Sequence, residues 1–301
     1  MELKVLGSGS ATPQLERSPA GSVLTVDNFL ILIDCGEGTQ FRMLRHKVKI
    51  SRLRYILISH LHGDHFFGLI GLLSTINMQK RTDPLTVFGP KGLDEIITLQ
   101  LKHSGSAIGF PLFFRTVDTD SPEILFEDEV IKIRTFPLMH RIPCVGFRIS
   151  KKVSKRKILS EKLPSNFPVP YYNLLKNGHD VVDALSGKTY LNSEFTTEGQ
   201  PEKIFSYCSD TIFDERIIPF VENSDLLYHE ATFSQEMAER AYMTHHSTAS
   251  QAAIIASKAH VKRLILSHFS SRYKSLDHIL EEARAVFLNS FLAEEGQSLN
   301  F

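Results

Sequence analysis

Apolar and polar positions along this chain alternate between two periods, one suited to strands and one to helices. Leu3 to Leu6, Ser22 to Val26 and Phe29 to Ile33 read as strands, the last two joined by an Asp27-Asn28 turn. A helix is expected from about Gln40 to Arg45. Tyr55-Ile56-Leu57-Ile58 is a short apolar, partly β-branched run of the kind that forms a buried strand. Phe66 to Met78 then repeats with a helical period. Leu85 to Phe88, Val130 to Phe136, Val145 to Ile149, Lys203 to Cys208, Leu226 to Tyr228 and Arg263 to Ser267 are further strands. Helices are expected near Leu93 to Lys102, Ala249 to Ala259 (with Ser247 or Thr248 as N-cap) and Leu276 to Phe287. This succession predicts a layered α/β body, helices outside and sheets within.

The pattern lapses at Lys151. Five of the seven residues from Lys151 to Lys157 are basic: Lys151, Lys152, Lys155, Arg156 and Lys157. Residues 158–202 carry four prolines and no strong period, and read as an arm inserted in the body. The basic run is either a solvated strand or a contact for a polyanion. Residues 118–129 are acidic and read as a solvated edge. The formal net charge of +0 excludes a global field that would draw the chain to nucleic acid, so any such contact must be local. Cys35, Cys144 and Cys208 have no paired spacing and read as small buried hydrophobes in a reducing compartment. The first residues open as a strand without an export signal, and no apolar run reaches about 18 residues. A cytoplasmic protein is expected.

Chemistry concentrates in Ser59-His60-Leu61-His62-Gly63-Asp64-His65, four metal-type ligands on a strand-to-helix turn. Open sheets place ligands at the carboxyl ends of their strands. Histidine with carboxylate suits zinc, manganese or iron better than calcium or magnesium. His140, Asp210, His229-Glu230 and His268 likewise stop apolar strands. Any one of these has a bland reading as a loop residue. The four from the loop with His140, Asp210 and His268 supply the roughly six or seven ligands that a pair of first-row metals requires if water is to keep a place. A carboxylate can bridge two cations about 3.5–4 Å apart, and Asp210 is the natural bridge. Hydrolysis is the chemistry implied. Asp34, at the end of a buried strand, reads either as a residue orienting a ligand imidazole or as a helix cap.

His60-Leu61-His62-Gly63-Asp64-His65 resembles the HxHxDH signature of the metallo-β-lactamase superfamily. His229-Glu230-Ala231-Thr232 and His246-Ser247-Thr248 resemble the HEAT and HST motifs of ribonuclease Z, which removes the 3′ trailer from precursor tRNA. The resemblance runs over the whole chain. It implies a single four-layer αββα domain over residues 1–301, with 151–202 as an inserted flexible arm that grips tRNA from the other subunit of a homodimer. It implies two Zn2+ per subunit, Mn2+ being the other candidate. One ion would sit on His60, His62 and His140, the other on Asp64, His65 and His268, with Asp210 between them. Asp64 would help activate the nucleophilic water. Glu230 would orient His246, the proton donor to the leaving 3′-oxygen. The family's PxKxRN loop corresponds to Pro13-Gln14-Leu15-Glu16-Arg17-Ser18, in which Pro13 and Arg17 match and Leu15 and Ser18 depart. Products would be a 3′-hydroxyl on tRNA and a 5′-phosphate on the trailer. The alternative keeps the metals and changes the substrate: a phosphodiesterase acting on small phosphodiesters.

Overall fold

The computed structural model describes residues 1–184 and 186–301. Two seven-stranded sheets face each other. The first holds β1 (Glu2–Gly7), β2 (Gly21–Val26), β3 (Phe29–Cys35), β4 (Leu53–Leu57), β5 (Leu85–Gly89) and β6 (Leu112–Thr116). The second begins with β7 (Ile124–Glu127), β8 (Ile131–Leu138) and β9 (Cys144–Lys151). It continues, after the insertion, with β14 (Lys203–Cys208), β15 (Leu226–Glu230), β16 (Leu264–Ser267) and β17 (Ser290–Leu292). The last strand, β18 (Ser298–Asn300), crosses back to pair with β1. Each sheet is antiparallel on one side and parallel on the other: β3, β4, β5 and β6 run parallel in the first, and β14, β15, β16 and β17 in the second. This repeat stacks the carboxyl ends of both sets of parallel strands along one edge of the sandwich.

The fold makes three apolar layers. Leu3, Ile31, Ile33, Tyr55, Phe147, Phe205, Tyr207 and Ile265 fill the space between the sheets. Outside the first sheet, α1 (Thr39–Arg45), α3 (Leu69–Met78) and α4 (Leu93–His103) cover Leu32, Ile56 and Val87. Outside the second, α7 (Ile218–Val221), α9 (Ala249–Lys258) and α10 (Asp277–Val286) cover Leu227, Leu264 and Leu266. The αββα expectation is met. All three cysteines are buried and free, as expected.

Two local expectations need correction. Phe66 to Met78 is not one helix. A short turn, α2 (Gly63–Phe66), takes in half of the histidine loop, and α3 starts afresh at Leu69. The break is imposed from outside the segment. The Gly68 amide donates to the Cys35 carbonyl at 2.9 Å, and a Cβ on Gly68 would lie 2.1 Å from the Gly36 oxygen. The periodic signal cannot report that contact. The insertion is also more regular than its composition suggests. Strands β10 (Lys157–Ile158) and β13 (Thr196–Thr197) pair, as do β11 (Val181–Val182) and β12 (Thr189–Tyr190). With α5 (Val169–Lys176) and α6 (Asn192–Phe195) they enclose a small core of Phe167, Leu175, Val181 and Tyr190. The insertion leaves β9 at Lys151 and rejoins at β14, where Lys151 faces Lys203, at the end of those strands remote from Cys144.

Candidate metal centre

Sheet register builds the centre from the base up. Strand β4 lies parallel to β3 with Ile33 beside Leu57, which sets Asp34 beside Ser59. Asp34 has a left-handed backbone (φ 56°) and a fully buried side chain. It accepts four hydrogen bonds: from the Ser59 amide (2.8 Å), the Ser59 hydroxyl (2.9 Å), His65 Nδ1 (2.8 Å) and the Tyr207 hydroxyl (2.8 Å). Of the two readings open from sequence, the orienting one is the one realised.

The seven expected ligands converge in two groups. His60 Nε2 and His140 Nε2 each lie 3.1 Å from His62 Nδ1, with Asp210 Oδ2 at 3.6 and 3.8 Å from the first two. On the other side, His65 Nε2 and His268 Nε2 lie 3.2 Å apart, and Asp64 Oδ2 is 3.6 and 3.5 Å from them. Asp210 Oδ1 faces this second group at 3.4 and 3.3 Å. One carboxylate thus presents one oxygen to each group. That Oδ1 is buried without a hydrogen bond among the described residues. A buried carboxylate oxygen with no donor is costly unless something positive meets it.

The outward nitrogens complete the case. His65 Nδ1 bonds to Asp34, and His140 Nδ1 donates to the His245 carbonyl at 2.9 Å. His268 Nδ1 meets the Thr232 hydroxyl at 2.9 Å, and His60 Nδ1 meets the Ser59 hydroxyl at 3.0 Å. With Nδ1 carrying the hydrogen, each Nε2 presents a lone pair inward, the tautomer that binds metal. Lone pairs pointed at one another repel unless a cation lies among them. The donor set therefore fits divalent ions of the histidine-and-carboxylate class.

Electrostatics agree. Burial foremost holds His60 and His62 below the ordinary imidazole value, and lowers His140 to about 4 despite Asp210. His65 runs the other way. Burial opposes its charge, but the carboxylates of Asp210, Asp34 and Asp64 push it up to about 10. Burial would raise Asp210 and Asp64, yet the surrounding imidazoles hold both well below the usual carboxylate range. The centre is a sink of buried negative charge that wants cations, whether protons or metals.

Beside the second group stands the pair singled out by the HEAT and HST motifs. His246 Nδ1 donates to Glu230 Oε1 at 2.9 Å and lies 3.9 Å from Asp210 Oδ2. Glu230 also accepts from the Thr211 amide (3.0 Å) and, at its other oxygen, from the Thr232 amide (3.1 Å) and hydroxyl (2.6 Å). Burial opposes both charges, but Glu230 pushes His246 up to about 9. His246 enters from the turn before α9, whose N-cap is Thr248 with a reciprocal Gln251 bond; the helix α8 (Ala238–Thr244) before it ends in the left-handed His245 (φ 59°).

The other expected residues are dispersed. Pro13 lines the central cleft with His62, Asp64, Asp210, His246 and His268, while Arg17 lines an adjoining cavity and donates to Gln14 Oε1 and the Tyr273 carbonyl. Lys151 pairs with Asp27 and Lys152 with Glu127, and the Arg156 guanidinium donates to Thr196. This basic run sits at the far end of β9 from His140. The residues that sequence reasoning passed over are the outer partners: Ser59, Tyr207, Thr211 and Thr232. Of these, only Thr232, inside the HEAT motif, left a mark in the sequence.

A two-sheet sandwich with helices outside and a seven-donor histidine–aspartate cluster on its strand ends is a metallo-β-lactamase fold with a divalent-metal site. The chain is 41% identical over 297 residues to a ribonuclease Z of Bacteroides fragilis (98% of this chain, 97% of that one). It is 42% identical over 297 residues to one of Cytophaga hutchinsonii (99% and 95%). The crystal structure of human tRNase Z, short form, superposes with a TM-score of 0.73 at 28% identity, covering 100% of this chain and 99% of that one. Residues 1–154 also match the family model described as Anti-Pycsar protein Apyc1. The chain belongs to the ribonuclease Z family.

Proposed function

We propose that this chain is a zinc-dependent endoribonuclease that removes the 3′ trailer from precursor tRNA, leaving a 3′-hydroxyl on the tRNA and a 5′-phosphate on the trailer. The observation that carries this is the Glu230–His246 pair. It lies outside the seven donors, yet against them, where a leaving oxygen would need a proton. His60, His62 and His140 would hold one ion, Asp64, His65 and His268 the other, and Asp210 both. When bound, two such ions activate a water and neutralise phosphate charge.

The chain's own groups supply the rest. Glu230 keeps His246 protonated near neutral pH, since its charge holds the imidazolium up to about 9. Nδ1 is engaged by Glu230, so Nε2–H is the proton that can be handed to the leaving 3′-oxygen. Asp64 accepts from the Ala11 amide at 2.7 Å, which steers the carboxylate at the mouth of the cleft. Lys155, Lys157 and the small core of the insertion fit an arm that holds the tRNA body. Phe41 and Leu44 on α1 and Met78 at the end of α3 are exposed apolar side chains on neighbouring helices, and suit a homodimer contact.

Incubation with a trailer-bearing tRNA transcript tests the proposal. Metal-dependent cleavage at the discriminator base is expected, and an intact transcript refutes it. All seven donors and the Glu230–His246 pair lie outside residues 151–202, so the centre is complete without the insertion, which favours one second reading: hydrolysis of small phosphodiesters. Deleting residues 151–202 separates the two. Loss of tRNA cleavage with small-ester hydrolysis spared supports the tRNA reading; equal effects on both support the second.

A further inference from the structure

Beyond His140 the central cleft opens into a second cavity of about 530 Å³, lined among others by Met139, Arg141, Ile142, Ile217 and Phe220. Its size falls in the roughly 300–1,000 Å³ of small-ligand sites. Arg141 lines both this cavity and the cleft that holds Asp64, Asp210 and His246, so it stands on the threshold between them. Its side chain is exposed and has no hydrogen-bond or ion-pair partner among the described residues. The other arginine of the cavity, Arg216, is already bound to Asp214 at 2.9 Å. Asp120 adds a negative charge at the exposed rim. The cavity is therefore not a polyanion groove. It offers an apolar interior, a ring wall and one free guanidinium at the door. Phe220 is held as a wall: its ring stacks on Phe136 with centroids 5.4 Å apart and planes 1° from parallel.

We propose that this cavity seats the first trailer nucleotide, its base against Phe220 and its 3′ phosphate on Arg141. The proposal rests on the precursor-tRNA reading. The side of the cut follows from the proton donor. His246 lines the central cleft and not the cavity, and it must face the leaving 3′-oxygen, which belongs to the tRNA. The His140 and His246 rings lie 5.3 Å apart, but only His140 reaches into the cavity, so the nucleotide that stays attached through the phosphorus takes the mouth beyond Arg141 that His246 does not line. Bases stack on aromatic faces without regard to sequence, and one guanidinium binds one phosphate.

The test uses four precursors: unmodified, abasic at the first trailer nucleotide, methylphosphonate at the linkage following it, and abasic at the last tRNA nucleotide. Wild-type kcat/KM should fall roughly tenfold for each of the two trailer changes. Phe220→Leu, which keeps an apolar side chain in the packed layer, should remove the sensitivity to the abasic trailer nucleotide. Arg141→Gln, an exposed change that touches no core, should remove the sensitivity to the methylphosphonate and keep that to the abasic site. The change in the last tRNA nucleotide should affect all three proteins alike. If both variants keep the wild-type sensitivities, or lose instead the sensitivity to the tRNA nucleotide, the assignment is overturned. An unmodified precursor left uncut by the wild type overturns the ribonuclease reading and the subsite with it; a cut precursor with unchanged sensitivities overturns the subsite alone.

Discussion

Replacing Asp34 by asparagine should weaken metal binding at the second group without touching any of the seven donors. The carboxylate satisfies four donors, three of them at Oδ2 (the Ser59 hydroxyl, His65 Nδ1 and the Tyr207 hydroxyl) and the Ser59 amide at Oδ1. An asparagine has one oxygen and one NH2. With its oxygen toward the Ser59 amide, the NH2 confronts three donors. Both hydroxyls can rotate to accept, but His65 must surrender its Nδ1 hydrogen, and the neutral ring then carries it on Nε2. That nitrogen faces Asp64, Asp210 and His268, and could no longer ligate. The opposite flip sets NH2 against the Ser59 amide, donor to donor. Either way at least one charge-assisted hydrogen bond is lost in a fully buried place, about 1.5–3 kcal/mol, and the tautomer penalty adds to the loss of metal affinity. Outer partners of this kind are worth roughly 10–100-fold in affinity. Competition for zinc against a chromogenic chelator, read beside a urea titration of the metal-free protein, measures both. Tyr207→Phe removes one of three donors at Oδ2 and leaves the His65 tautomer alone, so its affinity loss should be the smaller. Wild-type zinc affinity in Asp34→Asn, or equal losses in the two variants, would refute the tautomer argument.

Further outcomes are expected. Gly68→Ala places a Cβ 2.1 Å from the Gly36 oxygen, backbone against backbone, and should lower the urea midpoint by an amount worth about 1–3 kcal/mol or more; an unchanged midpoint would mean that the α2–α3 break is not fixed by that contact. In the metal-free protein, His65 and His246 have folded pKa values of about 10 and about 9, raised above 6.5. Their contribution is complete below about pH 6.5 and lost as pH rises through 9 to 10, so thermal stability should fall across that window. In Glu230→Gln the His246 share of the slope should vanish, and an identical slope in both proteins would exclude it. His246→Ala should cut precursor cleavage by roughly 10²–10⁴-fold with tRNA binding retained, and near-normal turnover would remove it as the acid. Zinc added to chelated protein should raise the melting temperature in proportion to the logarithm of its excess, and the absence of any shift would deny the cluster a metal.

What the sequence disclosed and what it hid divide along a physical line. Strand β4 and the histidine loop were legible because an apolar run and a ligand cluster are local signals. The N-cap of α9 was legible to within one residue, Ser247 or Thr248, for the same reason, and it is Thr248. The interruption at Phe67-Gly68 was not, because its cause is the distant Gly36 and Cys35. The insertion's core was hidden because its members are scattered: Phe167 lies in a loop, Leu175 on α5, and Val181 and Tyr190 on strands only two residues long, too short for any period. Of the missed edge strands, β17 and β18 are only three residues long, and β6 and β7, though as long as β4 and β16, are largely exposed. The seven histidine and aspartate side chains that converge were all legible as polar residues at strand ends or on the turn after one. Their outer partners were not, since the Tyr207 phenol reaches Asp34 from the opposite sheet, and no pattern in either strand announces which sheet faces which.

That last contact bears on how the centre is made. Asp34, His60, His62, Asp64 and His65 come from the first sheet, while His140, Asp210 and His268 come from the second. Neither half alone holds enough donors to trap two ions. Tyr207 and Asp34 bridge the halves below the donors, and Asp210 meets both groups above them. Docking of the two sheets and assembly of the centre are therefore one event, and whatever binds the completed centre stabilises the interface between the sheets. The large buried negative charge, which would otherwise oppose that docking, becomes its reward once cations are present. A fold that repeats its half-sandwich and places its acids and imidazoles only at the shared edge gains a site that exists when, and only when, the whole body has closed.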